Sequence, residues 1–351
     1  MTIRAGARGL GTGVAVVVGV LLLLAAGLAL AGYDPLLSLS ALARGSFGSR
    51  DALLSATLVR ATPLIIIGLG FALALRAGAL NIGAEGQFYA GATAAAWLGI
   101  QVGEWPAALA IPAVWLAAFA AGVLWVALPV LLRVRYGVFE VISTLLLNFV
   151  AEAMVSLAVQ GPLQERGGIY PQSDAIAVSA RLPLLPGTRL HLGIVLAVAL
   201  AVGLWYFLAR TLRGFRWRAA GLGPRAAEIT GGVNVRKAAA VALLASGGIA
   251  ALAGAAEVGG VSYALYANLS PGYGFTAIAV ALLARLHPLG IVASGILFGA
   301  LEAGAGAMQR EAGVPAVVVY VVEAGIIIAL LLADAWRRRT VAQSLPAGLP
   351  A

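Results

Sequence analysis

The chain has 351 residues, of which 62% are hydrophobic and only 11% are charged. Globular domains carry about 25% charged residues, and a core in water cannot bury so much apolar surface. The composition therefore excludes a soluble fold and predicts an integral membrane protein. The absence of cysteine excludes disulfides, thiolate nucleophiles and cysteine-ligated zinc or iron–sulfur centres.

Long apolar runs separated by polar breaks predict an all-α polytopic membrane protein, since about 20 apolar residues cross a bilayer as a helix. The runs predict about ten spans, at 11–32, 52–76, 79–100, 106–132, 138–160, 190–210, 237–258, 274–286, 288–308 and 314–334. The third and eighth are short or interrupted by glycine, which leaves nine spans open. The first run follows two arginines, as in a secretory signal, but it exceeds the about 15 apolar residues of such signals, which favours an uncleaved span.

The spans form one predicted transmembrane domain, 1–334, followed by a tail, 335–351. An even number of spans places both termini on one side of the membrane, and most of the 23 basic residues fall on that side. Because cytoplasmic loops carry the excess of lysine and arginine, both termini are predicted to be cytoplasmic. Topology therefore explains the net charge of +9 without a nucleic-acid partner.

A polar, glycine-rich sequence at 79–89 occupies the place where the third span should begin. Non-helical backbone at membrane depth is tolerated only where it is buried in protein or lines a cavity, so a broken helix beside a pathway is predicted. The candidate pathway residues are Asn81, Glu85 and Gln87. Gly83 and Gly86 would let backbone approach closely. The alternative is a re-entrant turn whose polar groups satisfy only one another.

The fifth span carries Glu140, Thr144 and Asn148 four residues apart, which places them on one face of a helix. A polar stripe in lipid must face protein or water, so Thr144 and Asn148 are further candidates for the pathway. Two alternatives stay open. Glu140 would be interfacial and paired with Arg133 or Arg135, and Asn148 would only make a hydrogen bond between helices.

The predicted cytoplasmic stretch 210–237 combines many basic residues with small ones. Pro224 is placed to begin a short helix, and Gly231 or Gly232 to end it. Small side chains suit entry into a groove on a partner, and the alternative is a linker that faces lipid. The residues expected to make this contact are Gly221, Pro224, Ala226, Ala227, Glu228 and Gly231.

A second glycine-rich break, at 263–276, precedes the short eighth span, with Gly272 and Gly274 at its end. Free amides at the start of that helix would point a positive dipole end at the centre of the protein. Tyr273, like Tyr266, is either a stacking surface for a planar solute or an interfacial aromatic residue. One broken segment in each half predicts an internally repeated transporter, with candidate inverted repeats at 52–160 and 237–334.

Two other features carry weaker predictions. The long predicted external loop 161–189 is either a lid or docking surface, or a solvated connector. His191 and His287 lie far apart and in no metal-ligand spacing, so both are expected to be interfacial or capping residues and no metal site is predicted.

Three of these segments together resemble a known family. They are Leu-Asn-Ile-Gly-Ala-Glu-Gly-Gln at 80–87, Glu-Val-Ile-Ser-Thr at 140–144 through Asn148, and Gly-x-x-Pro-x-Ala-Ala at 221–227. The resemblance is to permease subunits of bacterial ABC importers of the branched-chain amino acid and ribose permease superfamily, on the branch for nucleosides and simple sugars. It covers about residues 50–334. The chain departs from the commonest family wording with Gly223 before the proline and a second glycine at 232.

The resemblance implies a ten-span permease of the bacterial cell (inner) membrane that works with partners. They are a second permease, identical or paralogous, cytoplasmic ATPases, and an extracellular or periplasmic substrate-binding protein. The segment around 221–231 would be the coupling helix that seats in the ATPase. No G-x-x-x-x-G-K-[ST] motif occurs, so ATP and Mg²⁺ are expected in the partner ATPases, and this chain is expected to hold no cofactor and not to be an enzyme. The rival is a secondary transporter of a small polar solute, driven by an ion gradient.

Overall fold

The computed structural model describes residues 25–315 and the isolated positions 22, 317, 318, 321 and 324. The chain divides into two compact units, residues 54–299 and residues 1–53 with 300–351. Most of the first and tenth predicted spans, and all of the predicted tail 335–351, lie outside the described residues. The predicted domain limits and the orientation of the termini stay predictions.

The described residues are mainly helical and form no β-strand, only isolated bridges. Two short π-helical segments, Ala52–Thr57 and Val258–Ser262, precede α2 and follow α9. In chain order the principal helices are α1 (Pro35–Phe47), α2 (Leu58–Arg76), α3 (Ala84–Gln101), α4 (Ala107–Tyr136), α5 (Glu140–Val159), α6 (Gly193–Arg210), α7 (Leu212–Leu222), α8 (Pro224–Ile229), α9 (Val235–Glu257), α10 (Tyr273–Leu283) and α11 (Pro288–Ala312).

Six of these helical segments are long and apolar enough to cross a membrane, and α10 is a shorter apolar helix. The six are Ala52–Arg76, Ala107–Tyr136, Glu140–Val159, Gly193–Arg210, Val235–Ser262 and Pro288–Ala312. They confirm the prediction of an all-helical, multi-pass chain. The number ten is neither confirmed nor contradicted in the part of the chain that the structure describes.

Helices α2 and α9 form the centre of the larger unit, because both are mostly buried and α9 packs on α2, α3 and α4. A third or less of the apolar stretch of each of the helices α4, α5 and α6 is buried. Their outward residues are large and apolar, among them Leu116, Phe149 and Val198. An apolar outer face is the pattern expected of helices whose solvent is lipid.

Two helices, α1 and α7, fall in stretches that the sequence analysis treated as connections. Asp34 caps α1, where its carboxylate accepts hydrogen bonds from the amides of Leu36 at 2.8 Å and Leu37 at 3.1 Å. Thr211 caps α7 through the amide of Gly214 at 3.0 Å. Both caps are ordinary helix-start signals. They were missed because the search was for runs long enough to span a bilayer.

The smaller unit joins α1 to the last turns of α11. Arg44 and Glu311 form an ion pair at 2.7 Å. The Ser46 hydroxyl donates to the carbonyl of Ala300 at 2.5 Å, and Gly45 packs closely against Ala307. The close approach depends on small residues, since a side chain at Gly45 would collide with Ala307.

The loop after α5 packs against the protein along 173–182, whereas 161–172 has no buried residue and 183–187 is exposed, so only its middle part departs from the solvated connector that one alternative predicted. The amides of Ser173, Ile176 and Leu182 donate to carbonyls of the 259–265 stretch, each at 2.8 Å. At the start of α6, the Nδ1 atom of the buried His191 accepts a hydrogen bond from the amide of Gly193 at 3.2 Å, which fits the capping alternative of the prediction that His191 is interfacial or capping.

Glycines allow the backbones of α3 and α9 to touch. A Cβ on Gly254 would collide with the carbonyl of Phe88 and lie 2.7 Å from the amide of Ala92. Gly91 on α3 meets the backbone of Ala251 in the same way. This contact fixes the position of α3 against the central helix, and only small residues permit it.

We expect Gly254→Ala to lower the free energy of unfolding by about 1–3 kcal/mol, because the added methyl group has no space in a packed interface. Gly203→Ala on α6 is the matched control, since nothing lies within 4 Å of that position. The control should leave stability unchanged or raise it by up to about 1 kcal/mol. Thermal unfolding in detergent compares the two, and equal effects would contradict the packing described.

Candidate functional site

Residues 77–83 leave the helical path between α2 and α3, and two of the amides in this first break donate to side chains. Leu80 donates to Glu140 Oε1 at 3.2 Å and Gly83 to Asn81 Oδ1 at 3.1 Å. The amide of Gly86, in the first turn of α3, donates to Asn148 Oδ1 at 2.8 Å. An amide without an acceptor inside a bilayer costs several kcal/mol (roughly 2–7). These side chains therefore make the break possible.

Asn81 and Gln87 are fully buried and bind each other. Asn81 Nδ2 donates to Gln87 Oε1 at 2.8 Å and to Ser246 Oγ on α9 at 2.8 Å. Gln87 Nε2 donates back to Asn81 Oδ1 at 2.9 Å. This pair matches the alternative in which the polar groups of the break satisfy one another. Their predicted direct contact with a solute stays a prediction.

The polar stripe of α5 faces protein, as its spacing predicted, because Glu140, Thr144 and Asn148 are all buried. Arg133 pairs with Glu140 at 2.8 Å, which confirms one of the two predicted partners. Asn148 Nδ2 donates to the carbonyl of Ile82 at 3.0 Å. Asn148 therefore holds both a carbonyl and an amide of the first break, a contact between helices.

The second break, 263–272, ends at Gly272, whose φ of +98° suits glycine. The Ser270 hydroxyl accepts from the amides of Gly272 at 3.1 Å and Tyr273 at 3.0 Å. The next amide, that of Gly274, donates to Glu85 Oε2 at 2.6 Å. The positive end of α10 thus points at the side chain of Glu85. The sequence predicted that this helix end would point at the centre of the protein.

The two breaks meet at Glu85. This residue lies in the first turn of α3 while its side-chain carboxyl group binds the first turn of α10, so two helix N-termini converge on one acidic side chain. A Cβ on Gly274 would lie 2.7 Å from Glu85 Cα, so glycine is required at this contact. Tyr273 is buried and packs edge-on against Phe88, with ring centroids 5.9 Å apart. We call the joined residues Asn81, Glu85, Gln87, Asn148 and Gly274 the break junction.

A cavity of about 640 Å³ lies beside the break junction, between α3, α4 and α5. Tyr89 connects this cavity to the second break, because it lines the cavity and its hydroxyl accepts a hydrogen bond from the amide of Ser270 at 3.3 Å. Trp125 packs against Gly86, and its buried indole N–H has no acceptor among the described residues. We call this space the aromatic cavity, and its lining includes Tyr89, Thr93, Trp97, Leu124, Trp125, Met154 and Val155.

The residues that the sequence predicts for the pathway lie in one region of the structure. The six candidate pathway residues and the four break glycines lie at or around the break junction, but none of them lines the aromatic cavity. Sequence reasoning missed Tyr89, Trp97 and Trp125. A signal was present, since Tyr89, Thr93 and Trp97 recur every four residues on one face of α3.

The predicted coupling segment forms α8, away from the junction. Pro224 begins this helix, as predicted, and it ends at Ile229, before Gly231 and Gly232. Ala227 is buried, whereas Ala226 and Glu228 are exposed. Gly221 packs against the carbonyl of Arg76 at the end of α2. No group of three or more His, Asp or Glu residues suited to a metal ion occurs in the part of the chain searched, the described residues.

Fold and site together define a class, a polytopic membrane protein with two interrupted helices joined beside a cavity. Comparison with known proteins identifies the family within this class. A model of the family described as "Branched-chain amino acid transport system / permease component" matches residues 53–331. The chain is 37% identical to the guanosine ABC transporter permease protein of Bacillus subtilis, over 92% of this chain and 94% of the relative.

Two more relatives agree. The chain is 37% identical to a glucose ABC transporter permease protein of Haloferax volcanii, over 82% of this chain and 78% of the relative. It is 30% identical to a nucleoside ABC transporter permease protein of Lactococcus lactis, over 84% and 83%. The chain belongs to this family of ABC transporter permeases.

The family assignment confirms the resemblance and the predicted class of transporter. The chain is a membrane permease subunit and not an ATPase. ABC permeases act in general with ATPase and substrate-binding partners. An ion-gradient-driven carrier, the rival kept open by the sequence, gains no support from these relatives.

We expect Asn148→Ala to lower the free energy of unfolding by about 1–3 kcal/mol, because it leaves the buried amide of Gly86 without its acceptor. Ser156→Ala, on the same helix, removes a hydroxyl that only accepts from the exposed Gln160 side chain. Thermal unfolding of both variants in detergent measures the difference. If Ser156→Ala destabilised the protein as much as Asn148→Ala, the hydrogen bond from the Gly86 amide to Asn148 would not be a main contribution to stability.

Proposed function

We propose that this chain is the permease subunit of an ATP-driven importer for nucleosides or simple sugars, and that the solute passes along the aromatic cavity. The observation that carries the proposal is the cavity lining, in which Tyr89, Trp97 and Trp125 surround about 640 Å³. Aromatic faces stack on planar bases and on the apolar faces of sugars. Solute sites in proteins commonly enclose about 300–1,000 Å³.

The relatives support this substrate class. Two of the three reported above are named for guanosine or for nucleosides and one for glucose. The lining is mostly apolar and includes few residues with polar side-chain groups, among them Thr93 and Tyr89. Such a wall binds a nucleoside weakly, and weak contact suits release on the far side of the membrane.

The break junction supports the wall of this pathway. Asn81, Glu85, Gln87 and Asn148 hold the first turn of α3, and Tyr89 and Trp97 follow on the same helix. We therefore propose that the predicted pathway residues, Thr144 and Tyr273 included, act by positioning α3 and α10 and that the aromatic residues meet the solute. Discontinuous helices of this kind mark the site in many transporters.

A second permease completes the pathway in this proposal. Trp97, Leu124 and Met154 line the cavity and are also exposed on the outer face of the chain. We propose a paralogue as the partner. Bacillus subtilis has another guanosine permease protein, 29% identical to this chain against 37% for the first. Lactococcus lactis has a second nucleoside permease protein, at 27% against 30%.

The other proposed partners are those with which ABC permeases act in general, an ATPase and a substrate-binding protein. We propose that α8, with Gly221 and Gly231 at its flanks, is the coupling helix and seats in a cytoplasmic ATPase that binds ATP and Mg²⁺. Its exposed residues include Ile229, a large apolar side chain that is 83% exposed among the described residues. A substrate-binding protein would dock on the opposite, external side. Ten spans, cytoplasmic termini and an inverted repeat complete the proposed arrangement in the cell membrane.

We expect Trp97→Ala to lower ATP-dependent guanosine uptake by about three- to ten-fold, since one aromatic contact contributes about 0.5–1.5 kcal/mol. The measurement is uptake of radiolabelled guanosine and glucose into proteoliposomes that contain the assembled transporter.

Trp105→Ala is the matched control, because Trp105 has a similar exposure but does not line the cavity. It should transport like the wild type. Equal uptake by Trp97→Ala and the wild type would remove the cavity from the pathway. Uptake of neither solute by the wild type would contradict the substrate class.

A further inference from the structure

Helix α7 starts at the end of a membrane span. The apolar helix α6 ends at Arg210, and Thr211 is the one residue between the two helices. Gly214 packs tightly against the carbonyl of Phe207, and the rings of Phe207 and Trp217 meet edge-on at 5.2 Å. These contacts hold α7 against the last turn of α6, so α7 lies at the level where that span leaves the bilayer.

The outer face of α7 is apolar. Leu212, Phe215 and Leu222 are exposed by 65%, 58% and 90%. Their positions, together with Ala219, follow the spacing i, i+3, i+7, i+10, which aligns them along one side of a helix. Nothing among the described residues covers this stripe. The apolar outer faces of the membrane helices are those expected to contact lipid, and the stripe on α7 has the same character.

Arginines flank the stripe. Arg210, Arg213 and Arg216 are exposed, and Arg218 is half-buried. None of the four forms an ion pair within the described part of the chain. The only acidic residue from 210 to 237 is Glu228. Several positive charges beside an apolar stripe, without local acidic partners, match a negatively charged surface.

We propose that α7 is an interfacial helix that binds anionic phospholipid headgroups. The apolar stripe inserts at the boundary of the acyl chains, and the arginines reach the lipid phosphates. One residue, Gly223, separates α7 from α8. Lipid binding by α7 therefore fixes the depth of the segment that we propose to contact the ATPase.

The absence of cysteine makes the depth of α7 directly measurable. A spin label is attached to Leu222→Cys in the full chain, in vesicles of phosphatidylcholine and phosphatidylglycerol without ATPase. Collision with oxygen and with a water-soluble nickel complex reports depth. We expect the label to behave like one at Leu146→Cys on the outer face of α5, with nickel access several-fold below that at Arg166→Cys on the exposed loop. Nickel access equal to that at Arg166→Cys would overturn the proposal, and so would shielding that appears only after ATPase is added.

The role of the arginines of α7 is tested by measuring how much phospholipid the purified protein retains. Native mass spectrometry of the purified chain counts bound phosphatidylglycerol against phosphatidylcholine. We expect Arg213→Gln/Arg216→Gln to lower phosphatidylglycerol retention at least three-fold, and the loop control Arg166→Gln/Arg189→Gln to leave it unchanged. Equal losses in the two double variants, or no preference for phosphatidylglycerol in the wild type, would contradict the lipid site. Neither measurement depends on transport, so failure of the proposed substrate class would leave both results standing.

Discussion

Backbone amides that leave a helix inside a bilayer have no water to bind, so the protein itself must supply every acceptor. In this chain backbone carbonyls and side chains both supply acceptors at the two breaks, and the bond from the Gly274 amide to Glu85 joins the two breaks to each other. Much of the remaining structure follows from that bond. It orients α3 and α10, requires glycine at position 274, and places Tyr89 between the second break and the aromatic cavity.

The same junction explains why polar residues in the middle of the larger unit are compatible with its stability. Asn81, Gln87 and Asn148 are buried, yet each has partners of good geometry. A satisfied polar network is rigid, whereas a partly satisfied one costs stability. We infer that this network fixes the position of the first turn of α3, and with it the positions of the aromatic side chains that follow on the same helix. Transport would then use movements of whole helices and not rearrangement within the junction.

Much of this arrangement could be predicted from sequence, because the signals are local. Glycines and polar residues inside apolar runs indicated both breaks, Pro224 indicated the start of α8, and the spacing of Glu140, Thr144 and Asn148 indicated one buried face. One contact could not be predicted. Glu85 and Gly274 are 189 residues apart, and only the fold brings them together. Tyr89 and Trp97 recur on one face of α3, but this spacing is the same for the wall of a cavity and for a packed core. Helices α1 and α7 were missed because they are shorter than a membrane span.

The bond between Glu85 and Gly274 is tested most directly by hydrogen–deuterium exchange of Glu85→Ala in detergent. If that bond joins the breaks, exchange should accelerate in the peptide at the start of α10 as well as in the peptide at the start of α3, while peptides from α6 stay unchanged. Faster exchange in the α3 peptide alone, with α10 as protected as in the wild type, would contradict the account.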